Sequence, residues 1–270
     1  MNRSNSPRQR QPATDSAARE TEHHNSRDRI FEAAETLFAA HGYAATTVQG
    51  IADLAQINKR MLYHYFGSKR GLYDAVVQHN FTTILGRTVE VGREALETAG
   101  AAVAVAVMAR EYFDALQSHP RYVRFMEWEE AEGWLVLNEL PHRALDEVRQ
   151  LLINALQQGM DQGIFDREID PGAAWTYVIG VPGFHFNYRP RLQVYSEDDL
   201  TDPAIVARFR HEIVRFALLG VGADRATADH VVNKVAPCTA KGAQWRDEVD
   251  SSAEGDAPRR PRSRVPAAKR

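Results

Sequence analysis

Apolar side chains in this chain recur at three- and four-residue intervals, and the intervals stop and restart at Gly, Pro and small polar residues. Ile30, Ala33, Ala34, Leu37 and Phe38 fall on one face of a helix that starts near residue 27 and that Gly42 is placed to end. Val48, Ile51, Ala52 and Ala55 mark a short helix, and Ile57, Leu62 and Phe66 supply the apolar positions of a second. After Ser68 a longer helical pattern carries Leu72, Val76 and Val77. Beyond it the spacing predicts helices near 101–118, 121–131, 142–162, 171–181 and 203–219, punctuated by Gly163, Pro171, Pro182, Pro190 and Pro203. No strand alternation is sustained between turn signals and no repeat occurs at solenoid spacing, so the predicted fold class is all-α.

The two short helices carry their own start signals. Thr46 is placed to cap the first, with Gln49 three residues later completing a capping box, and Asn58 is placed to cap the second. Gly50, inside the first, costs about 1 kcal/mol relative to alanine in an exposed helix interior. Lys59, Arg60, Lys69 and Arg70 surround the second helix, no acidic residue occurs from 58 to 70, and Tyr63, His64 and Tyr65 lie among the cations. Two capped helices sharing a small core, with a cationic aromatic edge, read as a DNA-binding helix-turn-helix.

At 44% hydrophobic residues over 270 positions, the chain has room for one large or two modest domains. The net charge of −3 does not suit a non-specific nucleic-acid coat. Its distribution is uneven: cations gather at 59–70 and 259–270, while Glu127, Glu129, Glu130, Glu132, Asp146 and Glu147 make the middle acidic. Composition divides the chain into a flexible arm at 1–25, a DNA-binding head at 26–80, a helical body at 81–222, and a short helical extension with a basic disordered tail at 223–270. The arm's Arg3, Arg8, Arg10 and Arg19 suit a minor groove, though a solvated tail is the simpler reading of them. The single Cys238 and the lack of a recognisable signal peptide point to a cytoplasmic protein. The apolar run 101–109 is too short to cross a bilayer.

The segment 29–76, RIFEAAETLFAAHGYAATTVQGIADLAQINKRMLYHYFGSKRGLYDAV, resembles the N-terminal domain of TetR-family transcriptional regulators. The shared features are a long first helix, a T-x-x-x-I-A helix and an L-Y-x-Y/H-F ending before the next helix. Gln56 departs from the pattern, standing where the inter-helix turn often carries glycine. The resemblance implies that Asn58, Lys59 and Arg60 open a recognition helix, with Lys59 or Arg60 reaching a guanine edge and Tyr63 a phosphate. It places Lys69 and Thr47 on the DNA backbone, and gives Gln49 a choice between bases and its capping box. His64 belongs to the same candidate set, with packing as its alternative. It further implies a homodimer on a pseudo-palindromic double-stranded operator, paired through helices near 173–181 and 205–219. Ile205, Phe209, Ile213, Phe216 and Ala217 share one side of the latter, and intrachain core is their other reading.

A regulator of this kind is expected to be a repressor that a small-molecule effector releases, with no cofactor, no metal and no membrane. Aromatic residues of the body, Tyr112, Phe125, Trp128, Trp134, Trp175, Tyr177 and Phe184, are candidates for lining an effector pocket, against the simpler reading that they are core. Two alternatives remain: a DNA-binding regulator whose body binds another protein, and a helical enzyme. The enzyme is disfavoured because no G-x-S-x-G, phosphate loop or H-E-x-x-H occurs, and His23 and His24 alone make a poor metal cage.

Overall fold

The computed structural model describes residues 13–134, 143–166 and 168–235, and the elements among them are helices and no strands. In chain order they are α1 (Ala13–Ala45), α2 (Val48–Ala55), α3 (Lys59–Phe66), α4 (Lys69–Thr98), α5 (Ala101–Ser118), α6 (Pro120–Ala131), α7 (Arg143–Asp161) and α8 (Pro171–Trp175). A π-helical turn (Thr176–Gly180) joins α8 to α9 (Val181–Tyr195), and α10 (Pro203–Gly220) and α11 (Arg225–Val235) follow.

Two cores organise these helices. Ile30, Ala34 and Phe38 of α1, Ile51 and Ala55 of α2, Leu62 of α3 and Leu72, Tyr73 and Val76 of α4 make the head core, and Phe125 of α6 is buried with them. The second core surrounds α5, whose apolar run 101–109 is buried on nearly every side between α4, α7, α10 and α11. No helix among the described residues is long and apolar enough to cross a membrane. α4 belongs to both cores: Leu72 to Val77 pack in the head, and Ile84, Leu85 and Val89 in the body.

Three departures from the sequence reading have local causes. The arm expected over residues 1–25 is helical from Ala13, where Ala17, Ala18, Arg19 and Glu20 favour a helix without supplying an apolar stripe. α1 runs through the expected stop but is broken there, with Gly42 at φ 72° and ψ 179°. Pro182 and Pro190 do not end a helix, because Pro182 lies in the first turn of α9 and Pro190 inside it. The π-turn precedes Pro182, where an α-register would press its ring on the carbonyl four residues back. The helical extension expected after 223 is α11, held to α5 and α10 by Ala228, Val231, Val232 and Val235. Cys238, the basic tail at 259–270 and the arginines at 3, 8 and 10 lie outside the described residues.

Candidate nucleic-acid interface

The start of α2 differs by one residue from the expected cap. Thr47, extended at φ −108° and ψ 149°, is the N-cap, and its Oγ1 accepts from the Gly50 N–H at 3.0 Å. Thr46 is buried instead, its hydroxyl lying 2.8 Å from the Gly42 carbonyl and 3.1 Å from that of Leu37. With the cap at Thr47, Gln49 is the second helical residue rather than the third, so the capping box does not form. Its Nε2 donates to Asp53 Oδ1 at 2.8 Å along the exposed face of α2. Gly50 also acquires a reason: a Cβ there would stand 3.2 Å from Thr47 Oγ1 and crowd the cap.

The turn between the short helices is tight. Gln56 takes the left-handed conformation, φ 53° and ψ 47°, and its N–H closes on Asp53 O at 3.1 Å while Ile57 N–H reaches Ala52 O at 3.0 Å. Arg29 of α1 donates to the Gln56 carbonyl at 3.2 Å, so the strained residue is held from outside. Asn58 caps α3 as expected, its Oδ1 accepting from Arg60 N–H at 2.9 Å. That leaves the Asn58 amide nitrogen for a partner outside the protein.

Thr47, Gln49, Asn58, Lys59, Arg60, Tyr63 and His64 are all exposed on α2, α3 and their caps, while Leu62 is buried beneath them. Lys59 and Arg60 form no ion pair among the described residues. Tyr63 is 49% exposed, its phenol hydroxyl facing out on the same edge. His64 packs its ring edge against Tyr65 at 5.1 Å while staying exposed.

Lys69 starts α4 after the cap Ser68, whose Oγ accepts from Gly71 N–H at 2.9 Å. Its ammonium is half-buried, 4.3 Å above the ring of Tyr43, and donates to the Ala44 carbonyl at 3.5 Å. Burial lowers its pKa below the ordinary lysine value, and the charge of Glu132 opposes that shift. Tyr43, which positions this cation, was not legible as a site residue, because one aromatic after a glycine carries no periodic signal.

The aromatic residues expected around an effector do not converge on one place. Phe125 is in the head core. Trp128 lies over Gly42 and donates from Nε1 to the Ala39 carbonyl at 3.2 Å. Trp134, left-handed at φ 62°, is exposed beyond the end of α6. Trp175 is half-buried against the body core. Tyr177 packs on Gly220 and meets the Phe216 ring edge-on at 5.8 Å. Phe184, 62% exposed, stacks on Tyr188 at 4.9 Å. Of the seven, Tyr112 alone is a buried polar group deep in the body, where its hydroxyl hydrogen-bonds with that of Tyr122 and burial pushes its pKa up to about 12.

Two short capped helices that present cations, amides and hydroxyls on one exposed edge, braced by two long helices, define a helix-turn-helix DNA-binding protein. Residues 30–76 match the family described as bacterial regulatory proteins, tetR family, and residues 102–216 match the tetracyclin repressor-like C-terminal domain. The chain is 30% identical over 156 residues to the HTH-type transcriptional repressor KstR2 of Rhodococcus jostii, covering 56% of this chain and 74% of that one. It is 26% identical over 198 residues to the HTH-type transcriptional repressor NicS of Pseudomonas putida, covering 73% of this chain and 92% of that one. A TetR-family transcription regulator from Marinobacter aquaeolei VT8 shares the fold with a TM-score of 0.58 at 19% identity, over 76% of this chain and 100% of that one. The chain belongs to the TetR family of DNA-binding transcriptional regulators.

Proposed function

We propose that the edge formed by Thr47, Gln49, Asn58, Lys59, Arg60, Tyr63 and His64, with Lys69 at its margin, is the operator-binding surface. The protein acts as a cytoplasmic homodimer whose two heads sit on the half-sites of a pseudo-palindrome. The observation that carries this reading is the exposure of Lys59 and Arg60 at the capped start of α3 without a carboxylate partner among the described residues. Cations left unpaired on a surface are available to phosphates and guanine edges. Thr47 Oγ1 spends an acceptor site on its cap and keeps its hydroxyl proton for a phosphate oxygen.

A second copy is supported by Phe216, 49% exposed beside Tyr177, on the helices through which the resemblance implies pairing, and by the exposed Phe184 on α9. An effector held in the body releases DNA when it binds more tightly to a conformation whose heads no longer match the half-site spacing. Such a protein regulates without turnover.

Footprinting on the intergenic region beside its own gene, followed by binding titrations at several salt concentrations, tests the assignment. Lys69→Ala is expected to weaken binding on every sequence and reduce the salt slope by about 1. Arg60→Ala is expected to lose about 1–3 kcal/mol at one base position and relax preference there. An unchanged salt slope removes Lys69 from the backbone contacts, and uniform weakening by Arg60→Ala removes its base contact.

A further inference from the structure

One face of α6 belongs to the head rather than to the body. Arg121, Phe125, Trp128, Glu129 and Glu132 recur at three- and four-residue spacing along it and its C-cap. Each meets the head: Arg121 pairs with Glu35 of α1 at 2.8 Å, Phe125 enters the head core, and buried Glu129 accepts from the Tyr73 hydroxyl at 2.7 Å. Trp128 and Glu132 converge on the break in α1. A Cβ on Gly42 would stand 2.9 Å from Trp128 Cδ2 and Cε3 and 3.1 Å from Glu132 Oε1, so both side chains lie against the glycine backbone. Trp128 Nε1–H donates to Ala39 O at 3.2 Å, and Glu132 Oε1 accepts from Ala44 N–H at 3.5 Å. Ala44 then accepts from Lys69, and Thr46 and the α2 cap Thr47 follow within three residues.

We infer that Trp128 and Glu132 are positioning residues for operator binding. They fix the broken end of α1, and through it the α2 cap and the Lys69 ammonium, so the body holds the head at a second point besides the shared helix α4. The inference rests on the assignment of Thr47 and Lys69 to DNA. Two attachments define an orientation where one continuous helix leaves the head free to swing, and the orientation of each head sets the half-site spacing the dimer accepts.

The test uses the full chain on its footprinted operator and on copies with the half-sites moved apart by one and two base pairs. Protection of the first by the wild type establishes DNA binding, and its absence removes this inference together with the assignment beneath it. Trp128→Ala and Glu132→Ala are expected to melt cooperatively and to discriminate among the three spacings less sharply, the ratio of affinities falling by about fivefold or more. A role in stability alone would lower the melting temperature and weaken all three operators by one factor, leaving the ratio unchanged. Wild-type ratios in both variants overturn the inference. Glu132 is half-exposed beyond the last turn of α6 and carries the test by itself if the tryptophan variant does not fold.

Discussion

At the scale of single residues, the head shows how little separates one capping threonine from the next. Thr46 and Thr47 are chemically equal, and Gln49 makes the first look like the cap. Burial decides otherwise, because the break at Gly42 offers a carbonyl to the Thr46 hydroxyl and leaves Thr47 facing solvent at the start of α2. Thr47→Ala is expected to cost the head about 1 kcal/mol through the lost cap, whereas Thr47→Ser keeps both cap and hydroxyl. Urea denaturation separates these variants, and equal stability of the two would dismiss the cap. Gln56 offers the opposite experiment. A non-glycine residue in the left-handed region carries about 1–2 kcal/mol of steric cost, and glycine gives back about 0.5–1 kcal/mol in chain entropy. Gln56→Gly is therefore expected to stabilise the protein by up to about 1 kcal/mol, and a lower urea midpoint for that variant would contradict the account.

Among the elements, the helices with one clear apolar stripe were legible almost to the residue. The expected 101–118 is α5, 203–219 falls one residue short of the end of α10, and 142–162 runs one residue past the end of α7. The continuity from α8 to α9 is not legible, because proline spacing predicts stops at 182 and 190. A proline stops a helix only if its missing N–H and its ring cannot be accommodated, and neither depends on spacing. That continuity brings His185 into the body, buried among Phe113, Phe186 and Phe209 with ring centroids 4.9 to 5.6 Å away. Burial, reinforced by the Arg189 charge, lowers its pKa from 6.5 to about 4. The unfolded chain thus takes up a proton between these values that the folded chain refuses. Its contribution to stability is complete above pH 6.5 and is lost as the pH falls towards 4. Melting temperatures at pH 7 and pH 5 should diverge less in His185→Phe than in the wild type, and an equal pH dependence would show that His185 titrates normally.

On the scale of the whole molecule, the contacts between head and body were not legible in the sequence. Phe125 and Trp128 read as pocket lining because aromatics in a helical body usually face its own core, yet both face the head. Their helix has two buried sides, and periodicity cannot say which neighbour each side meets. The exposed aromatics give a separate expectation about assembly. Phe216→Asp should put a charge at the centre of the proposed pairing face, shift the protein to monomer in sedimentation, and abolish tight operator binding while each head stays folded. A dimer that survives this substitution would move the subunit contact elsewhere.

The π-turn at Thr176–Gly180 has a consequence for how the chain tolerates changes of length. Ala174 and Val178 are buried before Pro182, and His185 and Phe186 after it. Each residue of helix turns the following side chains by about 100°. The π-turn absorbs one extra residue within a helix, so removing one residue from it would give ordinary helix and leave His185 and Phe186 facing as they do now. A single-codon deletion within the turn should therefore be far less damaging than one inside α9, where the same loss swings every later side chain by about 100°.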